Sequence, residues 1–337
     1  MGNEGDSLSH LANPSRYQEM IYRRLGHSGL KVPVISLGLY RNFGESSRFD
    51  QAAETILTAF DLGITHFDLA NNYGEPNGSA EEFFGQVLRH DLAGYRDELL
   101  ISTKSGYNMW PGPYGEWLSR KHLIASLDQS LCRLGLDYVD IYYAHRYDPK
   151  TPIEETAYAL DQVVKQGKAL YVGVSNFPAE AIKEIDSFFD ALGTPFVGNQ
   201  LNYSMFLRQP EVDVFPVLEK LIKGAVVYQP LYQGLLTEKY LNDIPGDSRM
   251  AQNVDSLSRD QLTQERIKKV QQLARIAKER DQTMAQLAIA WTLRQKSVGS
   301  SLIGVSSKQQ LIENIASIQN LTFTKDEMDQ IELILSN

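Results

Sequence analysis

The sequence predicts an α/β fold of the (β/α)8 class, the TIM barrel, and three observations support that prediction. Eight short apolar runs rich in Val, Ile, Tyr and Phe alternate with seven longer segments of helical periodicity. The runs are apolar along most of their length, as parallel strands are when helices cover them. Eight such units in about 300 residues fit a closed barrel better than a doubly wound sheet.

The predicted strands and helices follow one another in a regular order along the chain. The eight strands are VPVISLG from Val32, ITHFDLA from Ile64, ELLISTK from Glu98, YVDIYYAHR from Tyr138, ALYVGVSN from Ala169, FVGNQLNYS from Phe196, AVVYQPL from Ala225 and VGSSLIGV from Val298. The helical segments between them are DQAAETILTAFDLG, SAEEFFGQVLRH, SRKHLIASLDQSLCRLG, PIEETAYALDQVVKQG, PAEAIKEIDSFFDALG, EVDVFPVLEKLIKG and QERIKKVQQLARIAKERDQTMAQLAIAWTLRQ. Several of these segments end in Gly shortly before the next apolar run, which is a common stop for a helix that returns to a sheet. The chain between the seventh and eighth strands exceeds one helix, so we expect an inserted loop and an extra helix there.

The chain is expected to contain a single folded domain. Residues 1–20 are polar and aperiodic and are predicted to form an N-terminal leader. Residues 21–337 are predicted to form one barrel domain, because they show no break in composition and no repeat. The segment from Gln233 to Asp260 is the largest polar, turn-rich insertion, and a loop of that length is usually either functional or disordered.

Composition narrows the possible partners and the cellular location. A formal net charge of -9 and a pI near 5.3 argue against nucleic acid or an anionic membrane as the main partner, although a local basic pocket remains allowed. Cys132 is the only cysteine, lies in an amphipathic helical segment and is expected to be a small buried residue. The single cysteine and the absence of a long apolar segment lead us to expect a cytoplasmic protein.

Four polar residues lie at or just beyond successive predicted strand ends. Asp68 ends the second strand, Tyr73 lies in the loop that follows it, Lys104 ends the third strand and His145 ends the fourth. Each has an ordinary explanation on its own, since an Asp there can form a turn or cap a helix and a Lys or His can be a solvated loop residue. Adjacent strands lie about 5 Å apart, however, so the four side chains can converge at the end of the barrel where active sites of this fold lie.

These four residue types suit the donation of a proton to a carbonyl oxygen. A phenol with an ordinary pKa of about 10 donates poorly at neutral pH unless a cation such as Lys104 stabilises its anion. Asp68 can hold the ammonium group in an ion pair, and a neutral His145 can orient a carbonyl oxygen or relay a proton. A barrel glycosidase is an alternative, but it needs two carboxylates at strand ends, and Asp68 has no convincing second.

Family resemblance adds to this interpretation. The segments GITHFDLANNYG, LLISTK, YYAHR, GVSNF, NQLNYS, VVYQPL and LIGVSSKQQLIEN occur in this order and resemble the aldo-keto reductase superfamily over nearly the whole chain. The segments LANPSRY, KSGYNMWPGPYGEWLSRK and QGLLTEKYLNDIPGDSRM resemble the bacterial L-glyceraldehyde 3-phosphate reductases, which are close relatives of the potassium-channel β subunits. The resemblance implies that Tyr73 is the general acid, that Lys104 and Asp68 tune it, and that His145 orients the substrate. In channel β subunits the position of His145 is typically Asn, so the His favours a reductase.

The resemblance also implies a nicotinamide cofactor, although the chain contains neither G-x-G-x-x-G nor Y-x-x-x-K. Ser175, Asn176 and Gln200 would hydrogen-bond the carboxamide, and Tyr228 would stack on the nicotinamide ring. A helix cap is the ordinary alternative for Ser175 and Asn176, and a core aromatic is the alternative for Tyr228. The other residues implied to contact the cofactor are Tyr40, Asp68, Gln229, Pro230, Leu231, Gln233, Gly234, Lys239, Arg249, Gly304, Ser306, Gln310, Glu313 and Asn314.

The cofactor is expected to be NADPH. Lys239 and Arg249 would hold the 2′-phosphate, and solvated surface charge is the ordinary alternative for both. The sequence departs from many aldo-keto reductases because no Lys or Arg directly follows Ile303 and because Gln310 stands where an Arg is common.

We therefore expect NADPH-dependent reduction of short aldehydes or ketones to alcohols, with L-glyceraldehyde 3-phosphate and methylglyoxal-type compounds as substrates. The cofactor would carry the hydride, and Tyr73 would protonate the oxygen. The alternative is a redox-sensing regulatory subunit of the channel-β type, which binds NADPH tightly and turns over slowly. The expected partner is a small aldehyde, with no nucleic acid, membrane or metal, and the resemblance points to a homo-oligomer, a tetramer or an octamer.

Overall fold

The computed structural model describes residues 10–45, 47–240 and 263–336. Within them, the strands are β1 (Tyr22–Arg24), β2 (Lys31–Pro33), β3 (Ile35–Gly38), β4 (His66–Asp68), β5 (Leu100–Ser105), β6 (Val139–Ala144), β7 (Ala169–Ser175), β8 (Phe196–Asn202), β9 (Gly224–Tyr228) and β10 (Val298–Ile303). The helices are α1 (Phe49–Asp61), α2 (Ser79–His90), α3 (Arg120–Leu134), α4 (Ile153–Lys165), α5 (Ala179–Leu192), α6 (Val214–Leu221), α7 (Gln264–Glu279), α8 (Met284–Leu293), α9 (Lys308–Ile315) and α10 (Lys325–Ser336).

Strands β3 to β10 close into a barrel in the order β10-β3-β4-β5-β6-β7-β8-β9. Neighbouring strands pair in parallel, with Lys104 opposite Tyr143 and Ser175 opposite Gln200. At least one helix lies between each strand and the next along the chain. The predicted (β/α)8 TIM barrel is therefore confirmed.

An antiparallel hairpin of β1 and β2 precedes the barrel. The run from Val32, predicted as one strand, is two strands, because β2 ends at Pro33, which has no N–H for a continuing ladder, and β3 begins at Ile35. Leu25 in the hairpin turn lies against the first residue of β9, where a Cβ on Gly224 would be 2.4 Å from its Cδ1. The hairpin therefore packs at the amino end of the strands, opposite the end where the polar residues lie.

Strand alternation separates two cores. The barrel interior holds an apolar cluster that includes Leu100, Ile141, Tyr143, Val197, Val226 and Leu302. A larger core lies between the strands and the helices. Residues two apart on a strand face the same side, so His66 and Asp68 share the interior face of β4, and Ser102 and Lys104 share that of β5 with Leu100. The barrel interior thus becomes polar towards the carboxyl ends of its strands.

The helical run after the seventh predicted strand contains two helices, which include the extra helix expected there. α7 ends at Glu279, and Asp281 has a left-handed φ of 55°. Thr283 then caps α8 in a capping box, in which its side chain accepts from the backbone N–H of Gln286 and the Gln286 side chain accepts in return. The apolar periodicity continues across this short break, so the sequence pattern did not show the boundary between α7 and α8.

The outer surface departs from the sequence prediction at Cys132, which is exposed on α3 rather than buried. The buried stripe of that helix runs through Leu127, Leu131 and Leu134, and residue 132 lies outside it.

Residues 10–20 lie against the barrel domain, with Ala12 and Met20 buried. In the part of the chain that the structure describes, no helix is both long and apolar enough to cross a membrane.

Candidate active site

The four polar residues predicted at strand ends lie together at the carboxyl end of the barrel. Asp68 is the last residue of β4, Lys104 lies next to the end of β5, and His145 directly follows β6. Tyr73 lies in the loop between β4 and α2, and its ring is close to both Lys104 and His145. The structure therefore brings together all four residues that the sequence singled out.

Asp68 and Lys104 form a completely buried ion pair. Nζ of Lys104 donates to Oδ2 of Asp68 at 2.6 Å and to the carbonyl oxygen of Leu69 at 2.5 Å, and both charged side chains have 0% exposure. Burial lowers the pKa of Lys104, and the negative charge of Asp68 opposes that change. A buried pair is stable only when both partners find hydrogen bonds, and these contacts supply them.

Asp68 accepts two further hydrogen bonds through its other carboxylate oxygen. Oδ1 accepts from Oγ of Ser102 at 2.6 Å and from Nε2 of Gln200 at 2.9 Å. Ser102 also contacts His66, and the sequence analysis singled out neither residue as part of the site. Strand alternation is the signal that could have found them, since each lies two residues from a predicted site residue on the same strand.

The ring of Tyr73 lies between a cation and two other rings. Its centroid is 4.7 Å from Nζ of Lys104, 4.8 Å from the ring of Tyr40 and 5.7 Å from that of His145. Within the described residues its hydroxyl makes no hydrogen bond, and it is not sealed from solvent. Burial raises the pKa of the Tyr73 phenol well above its ordinary value, and the charge of Asp68 adds to the rise. The phenol therefore keeps its proton at neutral pH, while the Lys104 ammonium can stabilise the phenolate left after donation.

His145 is a neutral imidazole. Burial, reinforced by the charges of Lys104 and Arg146, lowers the pKa of His145 well below its ordinary value. Its Nδ1 is buried and has no partner among the described residues. A proton on Nδ1 would be an unsatisfied buried donor, which favours the tautomer that carries its proton on Nε2. Tyr107 packs edge-on against the ring, with centroids 4.7 Å apart.

A cluster of amides and hydroxyls lies beside these residues, where the nicotinamide was predicted. Asn176 follows β7 with a left-handed φ of 56°, and its Nδ2 donates to Oγ of Ser175 and to the carbonyl oxygen of His145. Its Oδ1 accepts from the hydroxyl of Tyr228 at 2.8 Å. Burial raises the pKa of Tyr228 to about 12, so its hydroxyl remains a donor. The N-cap of α5 is Pro178, without a side-chain cap, so the helix-cap alternative for Ser175 and Asn176 does not apply.

The loop after β9 has an unusual backbone. Gln229, Tyr232 and Gln233 have left-handed φ values of 56°, 45° and 60°, and Gly234 has 98°. Non-glycine residues rarely adopt this region, and such strain tends to cluster at functional sites. Oε1 of Gln233 is buried without a partner in the described residues. Pro230 and Leu231, which were also implied to contact the cofactor, lie in the same loop.

Five of the residues implied to contact the cofactor lie in and before α9. The N–H and the hydroxyl of Ser306 donate to Oε1 of Gln310 at 2.8 and 3.1 Å. Asn314 is buried, and its Nδ2 has no partner in the part described. Glu313 lies next to it, Gly304 faces open space, and a cavity of about 610 Å³ lies between α1 and α9 beside Ser306. The unpaired Nδ2 of Asn314 is a donor that a polar cofactor could satisfy.

The two cations predicted for the 2′-phosphate are not both described. Lys239 is exposed in a short helical turn after the β9 loop, and its backbone N–H donates to Oγ1 of Thr237. Arg249 lies outside the described residues. Their pairing with a phosphate stays a prediction.

Comparison with known proteins assigns this chain to a family. The aldo/keto reductase family model matches residues 34–336. The L-glyceraldehyde 3-phosphate reductase of Escherichia coli strain K12 is 50% identical over 328 residues, which cover 96% of this chain and 94% of that protein. A probable voltage-gated potassium channel subunit beta of Arabidopsis thaliana is 38% identical over 324 residues, which cover 94% of this chain and 97% of that protein. A protein of the same description from Oryza sativa subsp. japonica is 36% identical, with the same coverage of both chains. The chain therefore belongs to the aldo/keto reductase family and is an oxidoreductase.

Proposed function

We propose that the protein reduces short aldehydes or ketones to alcohols with NADPH, and that Tyr73 is the proton donor. The observation that carries the proposal is the buried ion pair of Asp68 and Lys104 in contact with the Tyr73 ring. The Tyr73 hydroxyl is engaged by no other described group, so it is available to a substrate oxygen.

Each residue of the group has a distinct role in carbonyl reduction. The nicotinamide cofactor, when bound, supplies the hydride to the carbonyl carbon. His145 donates from Nε2 to the carbonyl oxygen and orients it, and Tyr73 gives that oxygen its proton. Lys104 stabilises the resulting phenolate, and Asp68 holds the ammonium group in place.

The cofactor would be held by three groups of residues along the strand ends. Ser175, Asn176 and Gln200 would bind the carboxamide, and the half-buried ring of Tyr228 would stack on the nicotinamide. The loop after β9 would follow the pyrophosphate, and the start of α9 would hold the adenosine. Preference for NADPH over NADH rests on Lys239 and Arg249, with a charge-assisted contact from each to the 2′-phosphate.

L-glyceraldehyde 3-phosphate is the first substrate we propose, because the similarity to the Escherichia coli reductase covers almost the whole of both chains. Methylglyoxal-type aldehydes are the second, on the basis of the family resemblance. We also propose a cytoplasmic homo-oligomer, a tetramer or an octamer, on the basis of the family resemblance. Light scattering of the purified protein would measure its mass.

A redox-sensing subunit is the second candidate, because proteins described as channel β subunits are 36% and 38% identical to this chain. Such a protein would bind NADPH tightly and turn over slowly. His145 argues for the enzyme, because a donor at that position helps to activate a carbonyl.

The test is the loss of NADPH absorbance with a panel of short aldehydes, each with and without a phosphate group. Steady turnover, fastest with L-glyceraldehyde 3-phosphate, is the result expected for the enzyme. Tight NADPH binding with a single slow turnover for every aldehyde would favour the sensor. Activity on aryl glycosides without any NADPH oxidation would contradict both.

A further inference from the structure

Four buried side chains form a hydrogen-bonded chain that crosses the barrel interior and ends on Asp68. Oγ of Ser300 lies 2.6 Å from Oγ of Ser36, which lies 2.8 Å from Nδ1 of His66. Nε2 of His66 lies 2.9 Å from Oγ of Ser102, which reaches Asp68 at 2.6 Å. All five residues have 0% exposure, and they come from the adjacent strands β10, β3, β4 and β5.

The direction of every hydrogen bond in this chain follows from proton counting. Lys104 and Gln200 both donate to the Asp68 carboxylate. A carboxylate has no proton of its own and can only accept, so the Ser102 hydroxyl must donate in its contact with Asp68. The single proton of Ser102 is then used, so His66 must donate to Ser102 from Nε2.

The same count continues to the far end of the chain. A neutral His66 with its proton on Nε2 can only accept at Nδ1, so Ser36 donates to it. The proton of Ser36 is then used, so Ser300 donates to Ser36. Burial lowers the pKa of His66 to about 4, although the charge of Asp68 opposes the change, so the ring is neutral across the physiological range. Every hydroxyl and N–H dipole therefore points along the chain towards the carboxylate.

We propose that His66 and Ser102, backed by Ser36 and Ser300, are positioning residues that stabilise the negative charge of Asp68 and so keep the Lys104 ammonium charged beside Tyr73. This inference rests on the proposed reductase function. No proton moves along the chain. Aligned dipoles replace the water that Asp68 has lost in the barrel interior, and a fully connected chain is stronger than its separate bonds. Without them, burial would favour the neutral form of Lys104 more strongly, and a neutral amine would give the phenolate no cation.

The tautomer of His66 tests the inference without any turnover. Nitrogen NMR of the protein labelled with ¹⁵N-histidine reports which ring nitrogen is protonated, and the His66→Gln variant identifies the His66 signals among the six histidines. We expect a neutral ring protonated at Nε2 from about pH 6 to about pH 9. A ring protonated at Nδ1 would overturn the proposal, because Ser102 would then have to donate to His66 and not to Asp68.

Substitutions at Ser102 separate the hydrogen bond from simple packing. Ser102→Ala removes the donor but leaves space, whereas Ser102→Thr keeps the hydroxyl and adds a methyl group to a filled interior. We expect Ser102→Ala to lower kcat roughly tenfold with an unchanged NADPH dissociation constant, and Ser102→Thr to stay within about threefold of the wild type. The opposite order, with Thr worse than Ala, would show that Ser102 only fills space.

A matched control for Ser300, the first residue of the hydrogen-bonded chain, lies next to it on β10. The hydroxyl of Ser301 is equally buried, but its partner is Thr292 and it contacts no member of the chain. Ser300→Ala should lower kcat by about threefold, and Ser301→Ala should leave it unchanged. Equal effects of the two would overturn the proposal for Ser300. If wild-type protein reduced no aldehyde, the proposed function would fail, and the His66 tautomer would still decide the direction of the chain.

Discussion

Replacement of Lys104 by Met should destabilise the protein as well as inactivate it. The Asp68–Lys104 pair is fully buried at 2.6 Å, so removal of the ammonium leaves a carboxylate in the barrel interior with Ser102 and Gln200 as its remaining donors among the described residues. Breaking a buried pair in this way lowers the free energy of unfolding by about 3–5 kcal/mol. We expect the lower half of that range, because two hydrogen bonds to the carboxylate remain.

Guanidinium denaturation followed by circular dichroism measures this loss. With a slope of about 5 kcal/mol per M, a loss of about 3 kcal/mol lowers the unfolding midpoint by about 0.6 M. The double variant Lys104→Met/Asp68→Asn should recover most of the stability, because it leaves no unpaired charge. Lys308→Met is the matched control, since its pair with Glu54 is exposed and should contribute less than about 1 kcal/mol. A double variant no more stable than Lys104→Met would refute the reasoning.

The remaining predictions concern the cofactor and the acid stability. Arg249→Ala should weaken NADPH binding about 10- to 100-fold and leave NADH almost unchanged, as measured by fluorescence titration at fixed ionic strength, because a charge-assisted phosphate contact is worth about 1.5–3 kcal/mol. Equal losses of affinity for NADPH and NADH would show that Arg249 does not contact the 2′-phosphate. Burial favours the neutral form of Glu211, but hydrogen bonds from Arg208, Tyr203 and Arg294 lower the pKa of Glu211 to about 2. A lowered pKa in the folded state stabilises the fold above the unfolded pKa of about 4.3, and this contribution is lost as the pH falls from there towards 2. The fall in denaturation midpoint between about pH 6 and about pH 3 should therefore be smaller in Glu211→Gln than in the wild type, and an equal fall would contradict the assignment.

The barrel and four polar residues at its carboxyl end were predictable because their signals are local. Apolar runs of strand length report burial, and a polar residue that ends such a run must lie at the edge of the barrel. Asp68 and Lys104 were found in this way, and the structure joins them in one ion pair. Arg249 lies outside the described residues, so its role stays a prediction.

The buried hydrogen bonds were not predictable, because apolar periodicity does not identify the hydrogen-bond partners of buried polar side chains. Ser102 and His66 stand in runs that look like ordinary strands, and only the alternation of faces places them beside Lys104 and Asp68. The break between α7 and α8 was missed for a related reason, since both helices bury apolar faces and the pattern continues across the cap at Thr283. The burial of Cys132 was predicted wrongly, because the sequence of an amphipathic helix does not show where the edge of its buried stripe lies.

Turnover by the Tyr73→Phe variant is the most direct measurement of the central claim. The hydroxyl makes no hydrogen bond in the described residues, so its removal should leave the unfolding midpoint and the NADPH dissociation constant nearly unchanged. Loss of the proton donor should lower kcat for L-glyceraldehyde 3-phosphate by about 100-fold or more. Tyr158→Phe, at an exposed position on α4, is the matched control and should keep wild-type turnover. Near wild-type turnover by Tyr73→Phe would contradict the assignment of Tyr73 as the acid.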